Sequence, residues 1–415
     1  MKNERILLVL LAAIQFTNIV DFMIMMPMGD ILKKDLAIGP AKYGALVSSY
    51  GLAAGLTSLL GVFYLDYLDR KKALLFAYFG FILGTFSSAI IPTTDNVELN
   101  YYLFIGTRIL TGITGGLLGG LVLSIVGDVI PLERRGRAMA VVTIAFSLAS
   151  ILGIPISLML VDAFDQNWHV PFYFVSALSI PVWLLAFRFV PSLKAHLAAA
   201  KLKKDRLETL RQAFTTPQQR TGLLFTVLLV LGQFTVISFL TPYYVNNVGV
   251  AQVNVKYIYL CGGLATVVSG FLIGRAVDKV GRFRIFTIFA LLSILPVIVV
   301  THLEEVPFWA VLIIASFFFV FISGRMIPAN TITSAIVPPQ NRAGYMSLNS
   351  ACMSLASGGS AILAGAIITQ KDEFSPIEGY EFVGYIAIAA TIASLFLIRT
   401  LKGLAGDTIT KAADK

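Results

Sequence analysis

Charged side chains are scarce in this chain: Asp, Glu, Lys and Arg together make up 13% of its 415 residues. Soluble globular domains carry about 25% charged residues, so this chain has too few to cover a surface exposed to water. Its mean hydropathy is +0.82, and 57% of its residues are hydrophobic. Most of its surface must therefore face a medium other than water, which excludes a soluble globular protein.

Cysteine and histidine are also rare, with two and three residues respectively. Cys261 and Cys352 lie in different hydrophobic segments, so nothing indicates a disulfide or a metal site. The three histidines, His169, His196 and His302, lie near segment ends or in a polar connector. No nucleophile–base set, metal-ligand cluster or phosphate-binding loop is recognisable. The sequence argues against an enzyme, and we expect no metal or cofactor.

Long hydrophobic runs recur along the whole chain. Each is about 20 residues long, enough for a helix to cross a hydrocarbon core of about 30 Å, whereas barrel strands would be about half as long. The first run is not followed by a small-residue cleavage site, so we interpret it as a retained helix. The predicted class is an all-α membrane protein with twelve transmembrane helices, near residues 6–28, 43–65, 73–92, 101–128, 138–161, 170–190, 221–245, 256–277, 285–302, 307–333, 343–369 and 380–399.

Basic residues are distributed unevenly between alternate connections. With the N-terminus placed in the cytoplasm, the outer connections carry five Lys or Arg and the inner segments twenty-five, while Arg108 and Arg325 lie inside spans. Cytoplasmic loops of membrane proteins are enriched in Lys and Arg. Both termini are therefore predicted to be cytoplasmic, in a cell (inner) membrane. This bias accounts for the net charge of +9, which indicates no nucleic-acid partner.

The two halves of the chain resemble each other. Three matched pairs occur in the same order: "QFT" at 15–17 and 233–235, "LDYLDRKK" at 65–72 with "VDKVGRFR" at 277–284, and "PLERRGRAM" at 131–139 with "PQNRAGYM" at 339–346. Three matches in order indicate a duplicated six-helix unit, forming two pseudo-symmetric bundles. The predicted domains are an N-terminal bundle, a cytoplasmic connector, a C-terminal bundle and a cytoplasmic tail, at residues 1–190, 191–220, 221–400 and 401–415.

Several motifs carry a family resemblance. "GRAVDKVGRF" (274–283) matches the loop signature of the major facilitator superfamily, and "VFYLDYLDRKK" (62–72) resembles a degenerate first copy. Arg108 in "RILTGITGG" resembles the buried arginine of the family's fourth helix. "SLASILGIPISLML" followed by "NWHVPFYF" resembles the drug:proton antiporter branch, particularly its sugar-efflux, arabinose-efflux-like members, many of which have arginine where this chain has His169. The resemblance implies the major facilitator fold and proton-driven efflux of sugars or of multiple drugs.

The loop motifs carry acidic and basic residues at fixed spacing. A short cytoplasmic loop of this kind can hold two helix ends together, and its Asp can cap the N-terminus of a helix in the other half. Such contacts would form in one conformational state and break in the other. We interpret four residues as candidate latches, with static topology charges as the alternative: Asp66, Arg70, Asp278 and Arg282.

Small residues mark the fourth and fifth spans. Gly112, Gly116 and Gly120 are spaced four apart in the fourth span, and such residues let membrane helices approach closely. In the fifth span Gly153 precedes Pro155, and proline kinks a helix because it lacks the N–H group. We interpret these residues as helix-packing and kink positions, which the family resemblance links to a rigid, ion-tight first bundle.

Three ionisable residues lie well inside spans: Asp21, Arg108 and Arg325. A charge inside a bilayer is costly unless it meets a partner or a wet cavity. Counting helix rise from the nearest span ends gives Asp21 and Arg108 comparable depths. Arg108 is therefore predicted to meet Asp21 or to share a cavity with it.

A polar stripe follows the first span, because Gln15, Asn18 and Asp21 recur every third residue and occupy an arc of about 120°. Such a stripe suits a helix that lines a pathway, not one that faces lipid. In the drug:proton antiporter branch, acidic residues of the first helix and the arginine of the fourth are linked to proton coupling. The resemblance implies this role for Asp21 and Arg108, with a static ion pair as the alternative.

These observations predict a secondary active transporter that exchanges protons for a small molecule. Burial favours a protonated Asp21, whereas Arg108 favours the carboxylate, so a conformational change that alters this balance would move a proton. Predicted substrate contacts are Gln15, Asn18, Gln233, Thr235, Tyr243 and Arg325, with Phe16, Phe234 and Tyr244 as apolar walls. Asp21 is not repeated in the second half, where Phe239 stands at the corresponding position.

Other functions stay open at this point. A proton-coupled importer and a lipid or lysolipid translocase are alternatives on the same fold, and a non-transporting membrane receptor is a remote one. Substrate and direction stay open because one fold serves many substrates. We expect protons, a small-molecule substrate and the lipid bilayer as partners, a monomer, and the proton gradient as the driving force.

Overall fold

The computed structural model describes the chain except residues 1, 66–67, 93, 95, 132–133, 135–137, 140, 143–144, 146–147, 194–207, 338–341, 373–374 and 414–415. Within the described part the chain is almost entirely helical. A π-helix at Ala149–Gly153 runs directly into α6. The α-helices are α1 Lys2–Met23, α2 Gly29–Asp35, α3 Pro40–Tyr64, α4 Arg70–Ala89, α5 Val97–Val129, α6 Ile154–Ala163, α7 Val170–Phe189, α8 Glu208–Thr215, α9 Pro217–Ile237, α10 Leu240–Asn246, α11 Val255–Val280, α12 Arg282–Thr301, α13 Phe308–Gly324, α14 Met326–Ala335, α15 Arg342–Ile367 and α16 Tyr380–Ala413.

Eleven helical segments in the described part are long and apolar enough to cross a membrane. Ala149–Ala163 is a shorter apolar helix at the position of the predicted fifth span, which the structure describes only in part. The predicted all-α membrane class is confirmed, and the chain is an integral membrane protein.

Proline divides three of the predicted spans. Pro27, Pro242 and Pro328 each lack the N–H that would bond to the carbonyl four residues earlier, so the helix is interrupted near each of them. The predicted end of the first span at residue 28 is wrong, because α1 ends at Met23 and a separate helix, α2, follows. The spans predicted at 221–245 and 307–333 are divided into α9 with α10 and α13 with α14.

Helices pack mainly within their own half of the chain. In the first half α5 packs against α3 and α4, and α4 against α7. In the second half α9 packs against α15 and α16, and α13 packs against α11 and α12. The connector predicted at 191–220 contains α8, and its residues 194–207 lie outside the described part. The domain boundaries stay a prediction.

The halves meet most extensively along α3 and α15. A Cβ atom added to Gly44 would lie 2.5 Å from the carbonyl oxygen of Ala361, and one added to Gly51 would lie 3.0 Å from Cα of Gly358. Only glycine permits so close a backbone approach. This seam aligns the two halves around the region between α1 and α9.

We call the end of the molecule formed by residues 24–43 and 238–256 the distal end, opposite to the end where α1 begins. The largest cluster of buried apolar side chains includes residues of both halves there, such as Leu32, Tyr43 and Phe239. Tyr43 is fully buried, and its hydroxyl lies 3.2 Å from Ser238 O. Pro242 leaves that carbonyl without its usual helical donor, so a tyrosine from the other half can supply one.

Candidate functional site

Asp21 and Arg108 form a buried ion pair in the first half of the chain. Arg108 Nη2 lies 2.9 Å from Asp21 Oδ2, and Nη1 donates to Asp21 Oδ1 at 3.1 Å. Thr85 Oγ1, from α4, donates to the same Oδ1 at 3.1 Å. Both charged side chains are 0% exposed, so this two-pronged contact takes the place of water. The structure thus brings together the two residues predicted for proton coupling.

The position of Asp21 near the end of α1 explains why a cation is needed there. The last carbonyls of a helix lack partners within it, and its C-terminus carries a partial negative charge. A carboxylate in the last turn of Lys2–Met23 adds to that negative potential. Arg108 Nη2 also donates to the main-chain carbonyl of Asp21 at 3.2 Å. One guanidinium therefore neutralises the carboxylate and caps the helix end.

An aromatic series connects the ion pair to the contact between the halves. The guanidinium carbon of Arg108 lies 4.9 Å from the centroid of the Tyr50 ring. Phe22 packs against Tyr50 and against Phe234 of α9, with ring centroids 5.3 and 5.9 Å apart. Phe22 and Phe234 belong to different halves, so the rings of Phe22 and Tyr50 connect the contact between the halves to Arg108.

The rest of the polar stripe on α1 lies beside this series. The Tyr50 hydroxyl donates to Asn18 Oδ1 at 2.6 Å, and Asn18 Nδ2 donates to Gly115 O at 3.3 Å. Gln15 has a buried side-chain oxygen with no hydrogen-bond partner among the described residues. An unpaired buried acceptor costs about 1–3 kcal/mol, so a ligand that donates to this oxygen would gain affinity.

The second half presents a matching glutamine. Gln233 has a buried side-chain oxygen that also lacks a partner in the described part of the chain. Thr235, two residues on, donates to Leu231 O in its own helix at 2.8 Å and is 1% exposed. Of the two predicted contacts on α9, Gln233 is the one that leaves a polar atom unsatisfied.

Tyr243 lies in the packing of the distal end. Its hydroxyl donates to Leu303 O at 3.1 Å, and its ring packs against Tyr380 with centroids 4.5 Å apart. The neighbouring Tyr244 is buried, with a hydroxyl that is unpaired among the described residues. A substrate role for Tyr243 stays a prediction, and its observed contacts are structural.

Arg325 is a second buried arginine, at the junction of α13 and α14, and it is 0% exposed. Nη1 donates to Thr391 Oγ1 at 2.7 Å and to Ser293 Oγ at 3.4 Å. Nε and Nη2 have no hydrogen-bond partner among the described residues. Arg108 thus has a carboxylate partner, whereas the described partners of Arg325 are neutral hydroxyls.

Polar contacts of α2 join the halves at the distal end. Asn246 Nδ2 of α10 donates to Asp30 Oδ1 at 2.6 Å. Lys33 Nζ donates to Gln370 Oε1 at 2.6 Å, and the lysine is 0% exposed. These part-buried contacts must break if the halves separate at this end.

An ion pair joins the halves at the same end. Lys256 Nζ of α11 lies 2.6 Å from Asp162 Oδ2 of α6, and the two side chains are 15% and 14% exposed. This limited exposure reduces screening by water and salt. The pair therefore contributes to holding the distal end closed.

Arg70, one of the two predicted latch residues of the first loop, contacts its own half. Arg70 Nε lies 3.3 Å from Asp128 Oδ2, and Arg70 Nη1 donates to Leu65 O at 3.1 Å. Asp66 lies outside the described residues. These contacts tie the start of α4 to the end of α5, and a latch between halves stays a prediction.

The second loop differs from the first. Asp278 is exposed, and the described part of the chain shows no hydrogen bond or ion pair to it. Arg282 lies over the ring of Phe283, 5.4 Å from its centroid. Gly281 between them has φ of +99°, a conformation that favours glycine. Asp278 is thus exposed and Arg282 half-buried, on either side of a turn that favours glycine.

Gly112 and Gly116 lie where α5 crosses α3. A Cβ atom on Gly112 would lie 2.5 Å from Tyr50 O, and one on Gly116 would lie 2.6 Å from Cα of Ala54. Gly120, on the same helix, has no atom within 4 Å of such a Cβ. The first two glycines therefore permit close packing beside the ion pair, and the third is open.

Gly153 and Pro155 lie where α6 begins. A Cβ atom on Gly153 would clash with the side chain of Val20, the residue before Asp21. The π-helix at Ala149–Gly153 precedes Pro155, which stands in the first turn of α6. Single-turn π-helices are frequent at functional sites. This irregular turn packs the fifth span against α1 beside Asp21.

Sequence reasoning missed Tyr50, Thr85, Phe22 and Phe172, although each touches the ion pair or its aromatic neighbours. Phe172 also lies beside the guanidinium, with its ring centroid 5.5 Å from the guanidinium carbon of Arg108. A signal existed for Tyr50, because a buried tyrosine hydroxyl usually finds a polar partner. Thr85 and the two phenylalanines carry no such signal, since many similar residues in the spans face lipid or apolar core.

His169 precedes α7 outside the membrane helices. Its ring stacks on Trp168 with centroids 3.7 Å apart. Burial lowers the pKa of His169, and the nearby Asp35 carboxylate opposes that shift. The lowered pKa favours the neutral imidazole at this position.

Metal-ligating side chains do not converge in the described part of the chain. No group of three or more His, Cys, Asp or Glu residues there is placed to hold a metal ion. Cys261 and Cys352 are both free and half-buried. The site is therefore built from an ion pair, amides, hydroxyls and aromatic rings.

The family model of the Major Facilitator Superfamily matches residues 11–304 and 223–411. These matches cover most of the chain, so the chain belongs to the Major Facilitator Superfamily. It is a membrane transporter and not an enzyme, as the sequence predicted.

Relatives match along nearly the whole length. The inner membrane transport protein YdhP of Escherichia coli is 26% identical, covering 91% of this chain and 91% of that protein. A probable sugar efflux transporter of Helicobacter pylori is 23% identical, covering 92% and 91%. The MFS-type transporter YceJ of Bacillus subtilis is 22% identical, covering 90% and 92%. This chain is similar at low identity to membrane transporters, one of which is named as a probable sugar efflux transporter.

Solved structures support the fold alone. A D-xylose–proton symporter superposes with a TM-score of 0.73 at 17% identity, covering 94% of this chain and 96% of that one. The nucleoside transporter NupG superposes with a TM-score of 0.71 at 17% identity, covering 95% and 99%. The expected major facilitator fold is confirmed.

Proposed function

We propose that this protein expels a small molecule in exchange for protons by alternating access. The observation that carries this proposal is the fully buried pair of Asp21 and Arg108, joined through Tyr50 and Phe22 to the contact between the halves. An ionisable residue inside a membrane helix typically belongs to an ion pathway or a proton relay. Its link to the surface where the halves meet favours coupling over a static pair.

Asp21 is the proton site in this mechanism. The charged carboxylate is neutralised by Arg108 and hydrogen-bonded by Thr85. A protonated carboxyl attracts the guanidinium less strongly, so Arg108 shifts its contacts towards the Tyr50 ring. Because Tyr50 packs on Phe22, protonation on one side of the membrane changes how α1 meets α9. Proton entry and substrate exit thereby occur in alternate states.

The substrate region lies between α1 and α9. Gln15 and Gln233 occupy equivalent places in the two halves, and both side-chain oxygens are unpaired in the described part. Amide oxygens accept hydrogen bonds from hydroxyl and amine groups. Phe22 and Phe234 supply an apolar wall, with Asn18 as a third polar contact. A relative is named as a probable sugar efflux transporter, and a hydroxyl-rich sugar suits these acceptors.

The orientation follows from the charge distribution. We assign both termini to the cytoplasm and the distal end to the outside, in a cell (inner) membrane, because the inner segments hold most of the Lys and Arg. The distal contacts of Asp30, Lys33 and Asp162 with the other half then close the outer face. The described conformation is accordingly closed to the outside.

The loop charges serve this cycle as state latches. Arg70 is held by Asp128 in the described conformation, whereas Asp278 is exposed without a described partner. In the outward-open state the cytoplasmic ends close, and we propose that Asp66 and Asp278 then meet helix ends of the opposite half. A negative charge is stabilised at a helix N-terminus by about 0.3–1 kcal/mol, a small bias that suits a reversible latch.

Proton movement in proteoliposomes tests the proposal. Vesicles enclosing the pH dye pyranine would be supplied in turn with L-arabinose, ethidium, chloramphenicol and a fluorescent lysolipid. At least one compound should drive proton flux in the opposite direction to its own movement. Asp21→Asn should abolish this flux yet keep exchange of labelled for unlabelled compound, because the variant carries no titratable proton there.

Asp165→Asn is the matched control, because Asp165 is an exposed carboxylate at a turn with φ of +53°, which Asn also adopts. This variant should couple protons like the wild type. Normal proton-driven transport by Asp21→Asn would refute the coupling role. Proton and substrate moving in the same direction would favour the importer, and lysolipid as the sole substrate would favour the translocase.

A further inference from the structure

The Arg325 guanidinium uses only part of its donor set. Nη1 contacts the hydroxyls of Thr391 and Ser293, while Nε and Nη2 are without partners among the described residues. The Nε and Nη2 groups form the edge of the guanidinium that binds a carboxylate or phosphate with two parallel hydrogen bonds. The edge best suited to an oxyanion is therefore the free one.

The second half of the chain offers no internal counter-ion. Between residues 221 and 399 the sequence contains seven acidic residues. Asp278 and Glu381 lie in terminal turns of α11 and α16. The other five occupy sequence positions between the helices: Glu304, Glu305, Asp372, Glu373 and Glu378. Removing the partner from a buried charge typically costs several kcal/mol, so the Arg325 site favours an anion from outside the protein.

The two buried arginines differ in their surroundings. Thr85 accompanies a carboxylate bound to arginine, whereas Ser293 accompanies an arginine whose described partners are hydroxyls. The position that corresponds to Asp21 in the second half holds Phe239. The second half therefore has a buried arginine without a carboxylate at the position that matches Asp21.

The Arg325 site adjoins the substrate region. A Cβ atom on Gly232 would lie 3.4 Å from Thr391 Oγ1, the main partner of Arg325. The next residues of α9 are Gln233, with its unpaired oxygen, and Phe234, which contacts Phe22 of the other half. A ligand between α1 and α9 that extends past Gln233 would therefore approach Arg325.

We propose that the transported molecule carries an anionic carboxylate or phosphate group, which binds the Nε–Nη2 edge of Arg325. This inference rests on the proposed function and specifies the class of its substrate. The neutral part of the molecule lies between Gln15 and Gln233, and its anionic group reaches into the second half. Hydroxyls of Thr391 and Ser293 hold the guanidinium so that the free edge keeps its orientation.

Equilibrium binding to purified protein in detergent tests this inference without any proton gradient. The probes are matched pairs, glucuronate and glucose 6-phosphate against glucose, and salicylate against salicylamide, with inorganic phosphate as a separate arm. The wild type should bind at least one organic anion more tightly than its neutral partner. Arg325→Gln should weaken that binding about tenfold to a hundredfold, because charge-assisted hydrogen bonds are lost.

Arg399→Gln is the matched control, since Arg399 is an exposed arginine on the same helix as Thr391. It should bind the anion like the wild type. Arg325→Lys keeps the charge but loses the two-donor edge, so it should bind with intermediate affinity, and it covers the case in which the glutamine variant fails to fold. Asp21→Asn should keep anion binding. A result that disproves proton coupling at Asp21 is therefore distinct from a result that disproves anion binding at Arg325.

Three results with the soluble probes would overturn the inference. They are equal binding of anions and neutral partners by the wild type, undiminished anion binding by Arg325→Gln, and saturation of the site by inorganic phosphate alone at similar affinity.

An anionic lipid is tested by comparing nanodiscs with and without phosphatidylglycerol. If the organic anion binds only when this lipid is absent and the lipid itself stabilises the protein through Arg325, the site belongs to a lipid headgroup and the inference is wrong.

Discussion

Lys256 and Asp162 pair across the two halves at 2.6 Å, at the distal end where α11 begins and α6 ends. They stand far apart in the sequence and belong to different repeats. Their ion pair therefore exists only while the halves are together at this end, and its loss should change the balance between conformations.

Reversal of one partner should open the distal end. Lys256→Asp places two carboxylates together, which replaces an attraction of about 1 kcal/mol by a repulsion of similar size. The population open at the distal end should rise about thirtyfold, since a total change of about 2 kcal/mol exceeds the 1.4 kcal/mol that corresponds to a factor of ten. Labelling of Ser238→Cys by an impermeant maleimide, in a background without Cys261 and Cys352, measures this opening.

The reciprocal double variant Asp162→Lys with Lys256→Asp restores the attraction and should return labelling to the original rate. Equal labelling in the single and double variants would show that charge at this position does not hold the distal end closed.

The buried pair of the first half should show strong coupling in stability. Arg108→Gln leaves Asp21 charged and buried without its partner, which costs about 3–5 kcal/mol. Replacing both partners, Asp21→Asn with Arg108→Gln, should cost less than Arg108→Gln alone. Thermal unfolding of the purified variants in one detergent measures the difference, and additive losses would contradict the coupling.

The close packing of α3 against α5 should require Gly112 but not Gly120. Gly112→Ala forces a methyl group to 2.5 Å from Tyr50 O, and overpacking of this kind costs about 1–3 kcal/mol. Gly120→Ala has open space and gains helix propensity of about 1 kcal/mol. Thermal stability should fall for the first variant and stay level or rise for the second; equal effects would show that the crossing tolerates a larger separation.

His169 should make stability depend on pH. Burial lowers its pKa in the folded protein, whereas the unfolded value is about 6.5. The unfolded state then binds more protons below that value, so stability falls as the pH decreases from about 6.5 to the folded pKa and is level above it. His169→Gln should reduce this slope in unfolding measurements between pH 7.5 and about 5. An unchanged slope would show that His169 does not cause it.

Hydrophobic run length was sufficient to predict the membrane class, because every long run in the chain had to cover about 30 Å of hydrocarbon. The sequence repeat also predicted that Gln15 and Gln233 occupy equivalent positions in the two halves. Helix breaks were missed because Pro27, Pro242 and Pro328 lie inside or at the end of apolar runs. Hydropathy does not distinguish a continuous helix from one divided by a lost hydrogen bond.

The buried charges of the site were predictable from the sequence, whereas its packing contacts were not. Asp21 and Arg108 stand out because a bilayer tolerates few charges, and their depths alone suggested contact. Tyr50 and Phe22 connect that pair to the other half through ring geometry, which depends on how α1 and α3 lie against α9. Such contacts between distant elements leave no local pattern in the sequence.

The arginine at the junction of α13 and α14 also has an electrical consequence. A membrane potential does work of about 2.3 kcal/mol on each elementary charge per 100 mV. When the proposed anion is bound, the Arg325 site carries no net charge. The membrane potential then does no such work on it during the conformational change. In the proposed exchange the carrier returns without substrate and with Asp21 protonated, so the charge of Arg325 is uncompensated and voltage should act mainly on the return step. Turnover should therefore be most sensitive to membrane potential when the reset, and not loading, limits the rate.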